Sequence, residues 1–302
     1  MRYLIIVSIL WSFSFGIIKY GLPNLDSFFI SYTRNLIALA FFASVSIYQI
    51  KQFKWDIQLA VIGAIQFGLM YIFYIQSYQY LPAYLIATFT ITTPIFISIS
   101  DKYFFKNQFT YKEFLAIFLV ILGSYLMRYN ILNLREYWYG FLLIQCANFF
   151  FAFGQIWFKY WNRKNINTNI VANFSQLFLG ATLITFISYL LFGGSSNEIT
   201  DTNLSALLFL GLISSGIGFL LWNVGAIKVS SERLAVANNL VIPIAILNSL
   251  TFFGESIDFA LFLPGIALFY IAYRITYLSA FFFFSASFLH YLPSLQLLFF
   301  SI

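Results

Sequence analysis

The chain has 302 residues, of which 61% are hydrophobic and 9% are charged, and its formal net charge is +6. A soluble domain carries roughly 25% charged residues, so this composition excludes a water-soluble globule and predicts an integral membrane protein surrounded by lipid. The single cysteine, Cys146, and the single histidine, His290, exclude intramolecular disulfides and a Cys- or His-rich metal site. The basic residues lie in short loops between apolar runs, which is typical of membrane orientation and not of nucleic-acid binding.

Ten apolar runs are each long enough to cross a bilayer, whose core of about 30 Å needs roughly 20 helical residues. They cover residues 3–21, 28–48, 57–78, 83–100, 111–129, 138–158, 170–192, 204–223, 234–252 and 259–277. The first run lacks a small-x-small cleavage site and is interpreted as a retained helix. The predicted fold class is therefore an all-α membrane protein with ten transmembrane helices. A further apolar segment, residues 278–302, falls outside this scheme and is assigned no role.

The distribution of Lys and Arg predicts the orientation. If the N-terminus is inside, 12 of the 16 basic residues fall in inside loops, three fall outside, and Arg34 lies within the second helix. Because cytoplasmic loops carry the excess of basic residues, we expect a cytoplasmic N-terminus in the cytoplasmic (inner) membrane.

A weak internal repeat relates the two halves of the chain. A shift of 149 residues aligns Pro94 with Pro243 and Leu85 with Leu234. The predicted repeats are residues 2–129 and 138–277, with five helices each. An odd number of helices inverts the second copy, and inverted repeats are typical of transporters whose site lies near the midplane.

Several predicted helices carry polar or aromatic side chains that need a reason to lie in lipid. Trp11 and Ser14 occur in the first helix, Tyr74 and Tyr78 in the third, and Asn148 in the sixth. The eighth and ninth contribute the amides Asn223, Asn238 and Asn239. Buried amides are costly unless they find partners, so these residues indicate either hydrogen bonding between helices or a polar lining for a substrate path.

Pro94 and Pro243 each lie inside a predicted helix, where the missing N–H and the ring bend or break it. Thr90 and Asn239 stand four residues before these prolines. Discontinuous helices often mark a transport pathway, so this correspondence predicts a polar site at matching depth in the two halves.

The charged residues constrain the mechanism. Every Asp and Glu falls at a predicted helix end or in a loop. Proton-driven carriers commonly use buried carboxylates or histidines, so this pattern favours facilitated diffusion, exchange, or coupling through a less visible group. Arg34 is the deepest charge, and three interpretations stay open for it: snorkelling to the interface, pairing with loop acids, or direct contact with substrate.

The chain resembles the drug/metabolite transporter superfamily, specifically the ten-helix permeases of the EamA family, over residues 2–277. Three stretches carry the resemblance: WSFSFGIIKYGLP from Trp11 to Pro23, the fourth-helix pattern at 78–105, and WNVGAIKVSSERLAVANNLVIPIAILNSLTFFGE from Trp222 to Glu255. The Trp-Asn-x-Gly of the third is similar to the aromatic amino acid exporter branch. Ser12 replaces a common glycine, and Lys106-Asn107 stands where Gly-Glu is common.

The resemblance implies a carrier of small metabolites, such as amino acids, that works by alternating access as an exporter, exchanger or facilitator without a cofactor or metal. Pro94 and Pro243 would act in gating. The residues expected to bind substrate are Trp11, Ser14, Tyr74, Tyr78, Thr90, Asn148, Trp222, Asn223, Asn238 and Asn239. Phosphate-loop, zinc-protease and nucleophile-elbow signatures are missing, so an enzyme is not expected. The alternative is a non-transporting membrane scaffold or lipid-processing protein, which predicts no central polar cavity and tolerance of Asn239→Leu.

Overall fold

A computed structural model describes residues 1–81, 83–106, 110–127, 134–194, 199–245 and 260–275. These residues form helices joined by short turns, with no strand in the described ranges. The helices are α1 Arg2–Gly21, α2 Ser27–Tyr48, α3 Ile57–Ser77, α4 Ala83–Phe89, α5 Thr93–Phe105, α6 Tyr111–Met127, α7 Leu134–Lys164, α8 Ile170–Phe192, α9 Asp201–Ala226, α10 Ser231–Asn238 and α11 Ala260–Ile275.

The architecture is that of an all-α membrane protein, as the composition predicts. Six of the described helices, α1, α2, α3, α8, α9 and most of α7, are long and apolar enough to cross a bilayer. Away from its ends, a helix satisfies its backbone hydrogen bonds internally, which a lipid environment requires. The end of the ninth predicted run beyond residue 245 and the apolar segment 278–302 lie outside the described residues.

Polar residues at the loop–helix junctions start several helices. Asp26 Oδ1 accepts a 2.9 Å hydrogen bond from Phe29 N at the start of α2, and Asp56 Oδ1 accepts one from Gln58 N at the start of α3. Thr200 and Asn203 form a reciprocal capping box that begins α9. These side chains satisfy N–H groups that the first turn of a helix leaves open. Asp26 and Asp56 therefore lie at helix ends, where their carboxylates act as caps.

Glycines permit a close helix crossing between α3 and α8. A Cβ atom on Gly63 would lie 1.8 Å from the backbone oxygen of Leu177, and one on Gly180 would lie 1.8 Å from the backbone oxygen of Ala60. Only glycine permits this approach, and small residues at crossings are typical of membrane helices. The crossing packs α8 against α3, which contributes polar residues to the cavity described below.

Irregular stretches interrupt several of the helices. The π-helical segments Ala64–Leu69 and Phe209–Ile217 lie within α3 and α9. The 3₁₀ turn Thr90–Thr92 separates α4 from α5 just before Pro94. A turn at 239–240 separates α10 from the helical residues 241–245 just before the position of Pro243 in that segment. The two proline-associated breaks thus occur at equivalent positions of the predicted repeats, where the missing proline N–H weakens the helix.

Candidate functional site

A central cavity lies among these irregular stretches and encloses about 710 Å³ of empty space, counting the part that opens to the outside. The lining comes from α1, α2, α3, α7, α9 and the residues at the two breaks, 90–93 and 238–241. The lining residues are Trp11, Ser14, Phe15, Ile18, Arg34, Met70, Tyr71, Tyr74, Thr90, Thr93, Ala147, Asn148, Phe151, Ser214, Phe219, Asn238 and Val241.

Aromatic rings form one part of the wall. The Trp11 indole lies with its centroid 5.2 Å from the ring of Phe219 and 5.8 Å from the ring of Phe151, both in edge-on geometry. Behind it, the Trp222 ring is 4.8 Å away. Edge-on pairs at these distances are favourable beyond their apolar burial. The cluster offers a rigid, flat surface suited to the carbon skeleton of a small molecule.

The π-helical segment of α9 supplies polar atoms to the same cavity. Trp11 Nε1 donates a 3.1 Å hydrogen bond to the backbone carbonyl of Ser214, and the hydroxyls of Ser14 and Ser214 lie 2.9 Å apart. A π-helical turn shifts the usual backbone pairing, and such turns are frequent at functional sites. α1 is therefore joined to α9 at the cavity by one indole and two hydroxyl groups.

Amides from α7 cover the break between α4 and α5. Asn148 Nδ2 donates to the backbone carbonyl of Phe89 at 2.9 Å and to Thr92 Oγ1 at 3.2 Å. Gln145 Oε1 accepts from Thr92 Oγ1 at 2.6 Å. The 3₁₀ turn before Pro94 leaves carbonyls without their helical partners, and these side chains satisfy them. Asn148 thus supports the broken segment and also lines the cavity.

The break after α10 is tied to the same place. Asn239 Nδ2 donates a 3.0 Å hydrogen bond to the backbone carbonyl of Ile91, inside the first break. Its neighbour Asn238 lines the cavity and donates to the carbonyl of Leu234 within its own helix. The adjacent asparagines therefore have different surroundings: Asn239 connects the two breaks, whereas Asn238 borders the open space.

Arg34 lies in the cavity wall with hydroxyl partners. Its Nη2 donates to Tyr71 Oη at 2.8 Å, its Nε donates to Ser215 Oγ at 3.3 Å, and its guanidinium carbon is 4.2 Å from the Tyr71 ring centroid. The residue is only 2% exposed. Of the three interpretations left open by the sequence, snorkelling and pairing with loop acids do not describe this geometry. The charge points into the bundle instead.

Two tyrosines continue along α3 from this cluster. The hydroxyls of Tyr74 and Tyr78 are 2.9 Å apart, one helical turn from each other. Tyr74 lines the cavity, whereas Tyr78 does not. The pair differs in access to the cavity although the two side chains share one hydrogen bond.

The structure separates the sequence-predicted binding residues into two groups. Six line the cavity: Trp11, Ser14, Tyr74, Thr90, Asn148 and Asn238. The others, Tyr78, Trp222, Asn223 and Asn239, lie behind the wall. Trp222 Nε1 donates to Gln155 Oε1 at 2.9 Å, and Asn223 Oδ1 accepts from Gln66 Nε2 at 2.9 Å. Of the expected gating residues, Pro94 is buried at the start of α5 and Pro243 is partly buried in the helical residues 241–245.

Other lining residues were not singled out as binding residues from the sequence. Phe151 and Phe219 belong to apolar runs and carry no local signal that distinguishes them from lipid-facing phenylalanines. Ser214 has such a signal, because its spacing from Gly218 predicts a close helix contact. Tyr71 stands three residues before Tyr74 on the same helix face, so it belongs to the helically spaced tyrosines of this helix.

A comparison with protein families finds that the model of the EamA-like transporter family matches residues 1–129 and 138–278. Two curated relatives cover most of the chain. A "Probable biotin transporter" of Pseudomonas aeruginosa is 32% identical over 271 residues, which are 89% of this chain and 93% of the relative. A "Biotin transporter" of Salmonella typhimurium is 30% identical over 277 residues, which are 89% of this chain and 90% of the relative.

A solved crystal structure of a protein superposes on this fold with a TM-score of 0.75 and 14% sequence identity. The similarity covers 92% of this chain and 97% of the other. At this identity the likeness concerns the fold alone.

Proposed function

Because this chain belongs to the EamA-like transporter family and is a membrane transporter rather than an enzyme, we propose that its substrate is biotin and that the central cavity binds it. The observation that carries the proposal is the similarity, over about nine-tenths of the chain, to relatives named as biotin transporters. The scaffold and lipid-processing alternatives do not fit this family membership.

The chemistry of the cavity supports this substrate. Biotin combines a fused ring system with a ureido group that both donates and accepts hydrogen bonds, and an aliphatic chain that ends in a carboxylate. Trp11 and Phe219 offer flat apolar surface for the rings, and Asn148 and Asn238 offer amides for the ureido group. A mainly apolar pocket with a few placed polar groups is the usual design of small-molecule sites.

The proposed mechanism is alternating access between two repeats, residues 2–129 and 138–277, with the N-terminus in the cytoplasm. The matched breaks before Pro94 and Pro243 border the cavity, and we assign these prolines to gating. A change in the helix angle at either break would open or close one side of the site. The lining contains no Asp, Glu or His among the described residues, which favours a facilitator or exchanger over proton coupling.

Uptake of radiolabelled biotin into proteoliposomes tests the substrate. We expect saturable uptake that exceeds the level in protein-free liposomes, faster counterflow when unlabelled biotin is loaded inside, and no requirement for a pH gradient. Unlabelled biotin should compete. A panel of amino acids, which the sequence resemblance implied, should compete poorly. Saturable uptake of an amino acid, with no biotin uptake by the same preparation, would overturn the biotin assignment.

A further inference from the structure

Arg34 is a buried cation without a carboxylate partner among the described residues. It is the eighth residue of α2, about 11 Å along the axis from the start of the helix. The residue is 2% exposed, and no described Asp or Glu forms an ion pair with it. A buried charge is costly unless it is paired and hydrogen-bonded, and ionisable residues inside membrane segments mark functional sites. The missing partner therefore calls for an explanation.

The guanidinium has unused hydrogen-bonding capacity. Arginine carries five N–H donors. Nε donates to Ser215 and one Nη2 hydrogen is directed to Tyr71, whereas the buried Nη1 has no hydrogen-bond partner in the part of the chain that the structure describes. Two of the three nitrogens are thus held by hydroxyl groups from α3 and α9. The terminal edge of the group retains donors for another ligand.

The surroundings of Arg34 specify the charge of that ligand. Arg34 lines the central cavity, and the described residues of the lining include no acidic side chain. Asp26 and Asp56 instead cap the starts of α2 and α3. The cavity therefore carries an uncompensated positive charge, which an anionic substrate would neutralise and a cationic substrate would oppose.

We propose that Arg34 binds the carboxylate of the transported substrate and makes the carrier selective for organic acids over their neutral derivatives. The planar guanidinium matches a carboxylate in a two-point, charge-assisted hydrogen bond. Tyr71 and Ser215 are positioning residues, because they orient the guanidinium of Arg34 and need not contact the substrate themselves. The inference rests on the proposed function, because it takes the ligand to be the transported molecule.

This assignment fixes the orientation of biotin in the cavity. The carboxylate would lie at the Arg34 and Tyr71 side, contributed by α2 and α3, and the ring system would lie toward Trp11 and Asn148 on α1 and α7. Biotinamide retains the ring and the chain but lacks the negative charge. It therefore isolates the contribution of the carboxylate from that of shape.

The first experiment uses the unmodified protein. Competition against labelled biotin uptake is measured for biotin and for biotinamide, together with the thermal shift that each compound produces in purified protein. We expect biotin to bind about 10- to 100-fold more tightly than biotinamide, the range for loss of a charge-assisted hydrogen bond. Equal competition and equal thermal shifts by the acid and the amide would overturn the proposal without any variant being made.

The second experiment compares arginine variants. Arg34→Gln should reduce the preference for the acid over the amide to within about threefold, mainly by raising the KM for biotin. Arg34→Lys keeps the charge but not the planar fork, so it should retain part of the preference. Arg163→Gln removes the same charge from the exposed end of α7 and should leave the ratio unchanged. An unchanged ratio in folded Arg34→Gln protein would contradict the assignment.

A third comparison separates this inference from the identity of the substrate. If the unmodified protein takes up no biotin, the proposed function fails, and thermal shifts are then measured with hexanoate and hexanamide and with an aromatic acid and its amide. Stabilisation by the acids alone, lost in Arg34→Gln, would support a carboxylate site for another substrate. Absence of any acid preference in both series would overturn the inference as well.

Discussion

The side-chain amide of Asn239 donates a 3.0 Å hydrogen bond to the backbone carbonyl of Ile91, 148 residues earlier in the chain. This bond joins the turn that follows α10 to the 3₁₀ turn that precedes α5. Each turn stands just before one of the two helix prolines. The two breaks are therefore in direct contact beside the cavity, and we expect movement at one break to affect the other.

Replacing Asn239 with leucine tests this link. Asn239→Leu leaves the carbonyl of Ile91 without its partner inside the bundle, so we expect a loss of about 1–3 kcal/mol in the free energy of unfolding. Asn238→Leu is the matched control, because among the described residues Asn238 bonds only to Leu234, in its own helix. Thermal unfolding in detergent should show a lower Tm for Asn239→Leu than for Asn238→Leu, and substrate affinity should fall mainly in Asn238→Leu. Equal Tm values for the two variants would contradict the link.

The Tyr74 and Tyr78 hydroxyls provide a second matched pair. Tyr74→Phe and Tyr78→Phe each remove the same 2.9 Å hydrogen bond, but only Tyr74 lines the cavity. Both variants should lose a similar stability, on the order of 1 kcal/mol. If the cavity binds substrate, Tyr74→Phe should also raise the KM for biotin several-fold, whereas Tyr78→Phe should not. The measurement is the initial rate of uptake over a range of biotin concentrations, and a KM increase confined to Tyr78→Phe would argue against this cavity as the site.

The fold could be predicted from the sequence because lipid imposes a simple rule. An apolar run of about 20 residues can satisfy its backbone only as a helix, so the runs at 28–48 and 170–192 correspond closely to α2 and α8. The two prolines also indicated where helices would break. The π-helical segments within α3 and α9 had no such signal, since the apolar pattern continues through them and the backbone shift depends on packing.

The candidate site could be predicted only in part. Trp11 and Asn148 stood out because an indole or an amide in lipid needs a partner. The sequence could not distinguish a polar side chain that borders the cavity from one that lies behind it. Trp222 and Asn223 illustrate this, since Gln155 and Gln66 satisfy them within the bundle. Their depth depends on the rotation of α9 about its axis, which is set by contacts from distant helices.

The glycine crossing of α3 and α8 predicts a large effect on stability from the smallest side chain. In Gly180→Ala the new methyl group would lie 1.8 Å from the carbonyl oxygen of Ala60, which belongs to the backbone and cannot rotate away. The helices must separate, so we expect a loss of at least about 1–3 kcal/mol and little folded protein. Gly194→Ala is the control, since its Cβ would meet an ordinary contact of 3.7 Å with Asp26. Size-exclusion profiles and Tm values check the pair, and similar Tm values would show that the crossing tolerates separation.

The reciprocal amide pair of Gln66 and Asn223 predicts a non-additive double variant. Both residues are 0% exposed, and their side chains join the two helices that carry π-helical segments through bonds of 2.9 and 3.4 Å. Gln66→Met leaves the buried amide of Asn223 without its partner, and Asn223→Leu does the same to Gln66. Each single variant should therefore lose about 1–3 kcal/mol in the free energy of unfolding. The double variant leaves neither amide buried without a partner. Its loss should therefore fall short of the sum of the single losses by about 0.5–3 kcal/mol. The free energies of unfolding of the unmodified protein, the two single variants and the double variant complete this double-mutant cycle. Strictly additive losses would mean that the two amides do not depend on each other for hydrogen bonding.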